Sequence, residues 1–212
     1  MLKKNLKIIL LTSVVIILPI LAGLVMWSKL PDKLPTHWNF SGEVDGWSSK
    51  PFAVIVMPLI LLGIHLLCTI ATSLDPKNKG VNSKVLGLVL WICPIVSVMC
   101  MSFVYAGGLG VDVKVEFIVP LLMGLLFLAI GNYLPKCKQN YTIGIKIPWT
   151  LHDEDNWNKT HRFAGFVWTV CALVVMLGAF FKEIVVFTTF VPIAIMVFAP
   201  MIYSYIYYRK HR

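Results

Sequence analysis

The chain has 212 residues, of which 58% are hydrophobic and only 14% charged, with a formal net charge of +9. A soluble globular domain carries roughly 45–50% apolar and about 25% charged residues spread over its surface. Here all nineteen Lys and Arg and all ten Asp and Glu fall in a few short segments, which excludes a soluble fold.

Between the charged segments lie six stretches without formal charge: Ile8–Trp27, Phe52–Thr72, Val85–Gly107, Phe117–Leu134, Phe163–Phe181 and Ile184–Tyr208. About 20 apolar residues suffice to cross roughly 30 Å of hydrocarbon as a helix. The expected fold is therefore all-α, a polytopic membrane bundle of about six transmembrane helices. Lys3, Lys4 and Lys7 precede the first stretch, as they would in a signal peptide. That stretch is longer than the 7–15 residues or so of a signal core, and no A-x-A-like cleavage site follows it. It reads as a retained first helix.

A long outer loop, Ser28–Lys50, follows the first span. Pro31 and Pro35 stiffen its start, and Ser41-Gly42 and Asp45-Gly46 are turn signals. Trp38, Phe40 and Trp47 are amphipathic enough to lie along a headgroup boundary, so a folded cap over the helix ends is expected. His37, Glu43 and Asp45 match no zinc or calcium spacing. In the second span His65 is the one residue among His, Lys, Arg, Asp and Glu within the six stretches. One charge at a span centre costs about 2.5–3.5 kcal/mol, which these apolar spans would tolerate, yet they carry no carboxylate. That argues against a proton-coupled carrier or an intramembrane protease and favours a neutral, hydrogen-bonded His65. Pro19, Pro58, Pro94, Pro120, Pro192 and Pro200 put a proline in nearly every span, where each frees a carbonyl that neighbours must satisfy.

A second long segment, the inner loop Pro135–Arg162, separates spans four and five. Thr150 followed by Asp153 matches a capping-box pattern with Thr150 as N-cap, predicting a helix from about Leu151 that continues toward the fifth span. Asp153, Glu154 and Asp155 would occupy its first turn, Asp155 and Lys159 stand at i and i+4, and Trp157 and His161 share one face. Gly144 permits a tight turn, and Pro148 pushes Ile147 into extended geometry. Cys68, Cys93, Cys100 and Cys171 lie in spans and Cys137 in this loop, so no disulfide framework or C-x-x-C site is read. No cofactor is expected. The sixth span ends in Tyr203, Tyr205, Tyr207 and Tyr208, followed by Arg209 and Lys210, an interfacial anchor.

Orientation follows from the basic residues. With the N-terminus inside, the inner segments hold fourteen: Lys3, Lys4 and Lys7; Lys77, Lys79 and Lys84; Lys136, Lys138, Lys146, Lys159 and Arg162; Arg209, Lys210 and Arg212. The outer ones hold five, Lys29, Lys33, Lys50, Lys114 and Lys182. The positive-inside rule then places both termini in the cytoplasm, and the net charge is a topology signal that calls for no nucleic acid. Four parts follow: residues 1–72, two spans around the outer loop 28–50; 73–134, spans three and four; 135–162, the inner loop; and 163–212, the last two spans and a basic tail.

The two loops carry a resemblance. The inner stretch G-N-Y-L-P-K-C-K-Q-N-Y-T-I-G-I-K-I-P-W-T-L, then W-N-K-T-H-R-F-A-G, closely resembles the SdpI family of bacterial membrane proteins. The outer L-P-x-x-x-x-x-H-W-N-x-x-G-x-x-D-G-W resembles a short N-terminal domain of unknown function common in the same proteins. Carried over by position, the pattern marks Asn132, Pro135, Lys136, Asn140, Gly144, Pro148, Trp149, Thr150, Trp157, Thr160 and His161, with Pro35, His37 and Gly42 outside. Lys146, where the family has Arg, and Trp38 complete the candidate site. Lysine lacks the planar bidentate contact of arginine, so a partner held there would differ in identity or affinity.

The resemblance implies a multi-pass protein of the bacterial cell membrane that protects its cell against a secreted peptide toxin, without catalysis. It also implies capture of a cognate transcriptional repressor at the membrane. The residues themselves leave open an alternative, a membrane enzyme or lipid- or small-molecule-binding protein with its site at the cytoplasmic interface, using His152, Asp153, Glu154 and His161.

Overall fold

The computed structural model describes residues 2–77 and 83–211. Lys79 and Arg212, counted above for orientation, lie outside the described residues, as do the side chains of Lys3, Lys4 and Lys84. Among the described residues six helices are long and apolar enough to cross a membrane: Asn5–Val25, Phe52–Leu74, Val85–Gly108, Val115–Lys136, Glu154–Gly178 and Val185–Lys210. Their burial pattern suits lipid. Leu10, Leu21, Leu67 and Phe198 are exposed, whereas Thr12, His65, Ser97 and Ser204 are buried. Apolar residues outside and polar ones inside is the arrangement of a polytopic helical bundle in hydrocarbon.

The chain forms two compact units, Met1–Ser73 with Gly87–Val115, and Leu74–Leu86 with Glu116–Arg212. The first contains α1 (Leu2–Val25), a hairpin of β1 (Lys33–Trp38) and β2 (Val44–Ser49), α2 (Met57–Leu74) and most of α3 (Ser83–Gly108). The structured outer loop expected from sequence is this two-stranded antiparallel hairpin, paired from Lys33↔Ser49 to Trp38↔Val44 with irregular register around His37. Gly42, at φ 85°, takes the turn. The Asn39 Oδ1 atom accepts from the backbone N–H groups of Ser41 and Glu43, which closes it. The second turn expected at Asp45-Gly46 does not form; both residues lie in β2, and a Cβ on Gly46 would stand 2.7 Å from that of His37. Glycine serves close strand approach there, not a reversal.

Leu34 and Pro35 are buried against the end of α3, where Gly107 and Gly108 leave room; a Cβ on Gly108 would lie 2.3 Å from Leu34 Cδ2. Lys50 Nζ fastens the hairpin to the chain leaving α1, donating to Leu30 O at 2.7 Å and Trp27 O at 3.3 Å and pairing with Asp32. It thus satisfies carbonyls that a helix end leaves without partners. A π-helical turn, Phe52–Val56, joins β2 to α2. Pro58, which has no N–H and a ring that crowds the preceding turn, follows directly, and the widened turn accommodates it. Inside the bundle Thr12 Oγ1 meets His65 Nε2 at 3.1 Å, Ser97 donates to Ile16 O, and Tyr105 donates to Pro19 O. His65 is thus hydrogen-bonded and buried, as its surroundings required.

The second unit contains α4 (Val115–Tyr133), α5 (Pro148–His152), α6 (Glu154–Gly178) and α7 (Val185–Lys210). Antiparallel α4 and α6 approach through small residues. A Cβ on Gly165 would lie 2.8 Å from Gly131 O and 2.6 Å from Pro135 Cγ, and one on Gly124 3.0 Å from Ala172 O. Close backbone approach of this kind is how helices gain packing energy in lipid. α6 and α7 pair along their length, from Asn156–Ser204 through Trp168 Nε1→Met196 O to Gly178 against Thr188.

A second sequence expectation is corrected in this unit. Thr150 is not a helix N-cap: it lies inside α5, and the chain breaks at Asp153, which is extended and caps α6 by accepting from Asp155 N and Asn156 N. A carboxylate one residue before the helix satisfies two orphan N–H groups, while the Thr150 hydroxyl is engaged elsewhere. The fifth span accordingly begins at Glu154, earlier than composition indicated. The Asp155–Lys159 pair forms, at 3.8 Å.

Gly165→Ala is expected to lower stability by about 1–3 kcal/mol, because its neighbours are backbone and a proline ring that cannot yield. Gly63→Ala, with nothing within 4 Å of the new methyl, is the control, and thermal unfolding of both in detergent checks the contrast.

Candidate functional site

The segment from Leu134 to Arg162 is built around a few saturated polar side chains. α4 ends in a tight 3₁₀ turn, Leu134–Lys136, containing Pro135. The chain then folds around Asn140, which is 2% exposed. Its Oδ1 accepts from the N–H of Thr142 at 2.8 Å and of Ile143 at 2.6 Å; its Nδ2 donates to Lys138 O and Ile143 O. An amide offers two donors and an acceptor oxygen with two lone pairs, and all are engaged inside the loop.

Gly144 follows at φ 112°, a conformation that glycine adopts without strain. A Cβ there would stand 2.4 Å from His161 Nε2 and 3.2 Å from the Trp157 ring. His161 and Trp157, fully buried on one face of α6, stack at 4.0 Å. Trp157 Nε1 donates to Cys137 O at 2.7 Å. His161 Nδ1 meets Trp157 O at 2.8 Å while Nε2 faces the N–H of Ile145 at 2.9 Å. Only a neutral ring with its proton on Nδ1 makes both bonds. Thr150, also fully buried, donates toward Ile145 O at 2.8 Å and accepts from Ile147 N, and Ile147 is extended before Pro148 as expected.

Asn140, Gly144, Thr150, Trp157 and His161 are thus brought together as a buried bracket. The remaining marked residues fall elsewhere. Asn132, Pro135, Lys136 and Lys146 are exposed; Lys136 lies 4.7 Å over the Tyr133 ring and Lys146 donates to Thr142 O. Pro148 opens α5, and Trp149 packs against Tyr205 and Tyr208. Thr160 joins a polar lock between α6 and α7, where Asn156 Oδ1 accepts from Thr160 and Ser204 and Asn156 Nδ2 donates to Ser204 O. Pro35, His37, Trp38 and Gly42 belong to the hairpin of the first unit, where His37 Nδ1 pairs with Asp45 at 2.5 Å.

Sequence reasoning missed Asp75, Gln139, Asn156 and Ser204. Asp75, 8% exposed, accepts from Tyr141 N at 2.7 Å, Thr142 Oγ1 at 3.0 Å and Lys77 N, clasping the loop to the residues after α2. Gln139 Nε2 donates to Thr150 O and accepts at Oε1 from Lys77. A carboxylate beside a helix C-terminus, which the macrodipole disfavours, was the available signal for Asp75. Among the described residues no group of three or more His, Cys, Asp or Glu is arranged to hold a metal.

Two outcomes test the bracket. Gly144→Ala and Asn140→Ala should each lower the unfolding midpoint, the second by about 1–3 kcal/mol for orphaned backbone groups. Burial pushes the Cys137 thiol up to about 11. Since thiolate is the reactive form, maleimide labelling of Cys137 in a single-cysteine background should be slow at pH 7 and rise with pH. Trp157→Ala should speed it.

Residues 136–204, the loop through α6 to Ser204, match the SdpI/YfhL protein family. Residues 14–62, which hold the hairpin, match a domain of unknown function, DUF1648. The chain is 26% identical over 213 residues to "Immunity protein SdpI" of Bacillus subtilis (strain 168), across 98% of this chain and 97% of that protein. No solved structure matches it. The chain is thus a multi-pass membrane protein that resembles the SdpI family in residues 136–204 and is similar along its whole length to one immunity protein of that name.

Proposed function

We propose that this protein is a membrane immunity protein: it protects its own cell against a secreted peptide toxin, without catalysing a reaction. The observation that carries the reading is the end-to-end similarity to an immunity protein, with the inner and outer segments each matching a family model. The chemistry of the loop supports it. The polar groups of Asn140, Thr150, Trp157 and His161 are spent on holding backbone. A catalytic centre would instead aim a nucleophile or base at open space.

What the bracket presents outward is a pair of cations, Lys136 and Lys146, with the half-buried Trp149 beside them, on the side that the basic residues mark as cytoplasmic. These residues would form the surface that holds a cognate transcriptional repressor at the membrane while toxin is engaged. Lysine at 146, bonded to Thr142 O, offers such a partner a point charge without the arginine fork.

Expression in a toxin-sensitive bacterium tests both parts. Wild type should restore growth under challenge with a family toxin, and no rescue by any such toxin would sink the immunity reading. Lys146→Ala and Trp149→Ala should keep protection and lose membrane recruitment of a fluorescent repressor; Trp157→Ala, which opens the bracket, should lose both.

A further inference from the structure

Beside the bracket, where α7 ends at Lys210, Pro148, Trp149, His152, Asp153, Tyr208 and His211 line a pocket of about 340 Å³. That volume lies at the lower end of the roughly 300–1,000 Å³ common for ligand sites. Nearly all its side-chain chemistry is acceptor chemistry. Asp153 uses Oδ1 for both bonds that cap α6, which leaves its second carboxylate oxygen outside the cap. His152 Nδ1 is bonded to Pro148 O at 2.7 Å and His211 Nδ1 to Tyr207 O at 2.9 Å. A carbonyl only accepts, so each ring carries a proton on Nδ1 and in its neutral form has Nε2 as its acceptor. The Trp149 and Tyr208 rings, 6.1 Å apart by centroid, add negative π-faces that attract a cation.

We propose that this pocket binds the primary ammonium of a phosphoethanolamine lipid headgroup. A primary amine matches it because three N–H donors meet a carboxylate oxygen and two imidazole acceptors; a quaternary ammonium has none to give. The lipid follows from position. The pocket sits at the end of α7, where the last apolar span gives way to Arg209 and Lys210, the depth at which headgroups are expected. Neither lines the pocket, but they put positive charge on the same helical turn, which favours an anionic phosphate near the bound amine. The site is independent of toxin immunity and would seat the loop on the membrane whatever the loop binds.

The full chain, reconstituted in nanodiscs with equal phosphatidylethanolamine and phosphatidylglycerol and then released into detergent, is examined by native mass spectrometry for retained lipid. Wild type should keep phosphatidylethanolamine at least about five-fold over phosphatidylglycerol. Asp153→Asn removes the charge but remains a good N-cap, so α6 persists by circular dichroism while retention falls to parity; Trp149→Ala should behave likewise. Preferred retention of phosphatidylglycerol, or full retention in Asp153→Asn, would overturn the proposal. Calorimetry with soluble phosphoethanolamine and with N-acetyl-arginine amide separates the sources. Binding of phosphoethanolamine without lipid retention would assign a soluble metabolite, and binding of the arginine probe alone would assign a protein side chain; either replaces the lipid.

Discussion

A polar group near hydrocarbon must find its hydrogen bond within the protein, and nearly every distinctive feature of this chain answers that constraint. Water is absent from the membrane interior, so a buried donor or acceptor without a partner loses its full solvation. Among the described residues the buried side-chain oxygen without a partner is that of Thr189. Elsewhere the hydroxyls of Thr12, Thr69 and Ser204 turn onto carbonyls or amides. The helices are uncharged on their outer faces because lipid accepts nothing else.

The same rule shapes the loop that carries the family signature. A loop between spans could have left its backbone to water. This one buries Asn140, Thr150, Trp157 and His161 and uses each to hold a carbonyl or N–H that the irregular chain would otherwise orphan. Gly144 belongs to the same device, since only its missing Cβ lets the strand pass the imidazole. Rigidity follows, and a rigid loop holds its exposed Lys136 and Lys146 in fixed positions, with Trp149 half-buried against Tyr205 and Tyr208.

The hairpin of the first unit is an independent answer to a related problem. Residues between the first two spans must cap helix ends, and Lys50 does so by reaching carbonyls of Trp27 and Leu30. Leu34 and Pro35 fill the space that Gly107 and Gly108 vacate. The hairpin stands as a mounted platform, with its exposed side, including Trp47 and the His37–Asp45 pair, turned away from the core.

Sequence by itself determined the six spans, the two loops that matter, Gly144 as a special backbone position, the shared face of Trp157 and His161, and the extended residue before Pro148. Those properties are local: they depend on hydrophobic period, chain length and dihedral restriction, which each residue carries with it. Tertiary structure alone decided the rest. Asp153 rather than Thr150 caps α6 because the Thr150 hydroxyl is drawn to carbonyls already folded back over it. Asp75, distant in sequence, became a clasp on Thr142, and Gly46 served strand approach instead of a turn. Hydrogen-bond partners chosen by proximity across the fold leave no trace in composition or spacing, so no reading of one strand of text assigns them.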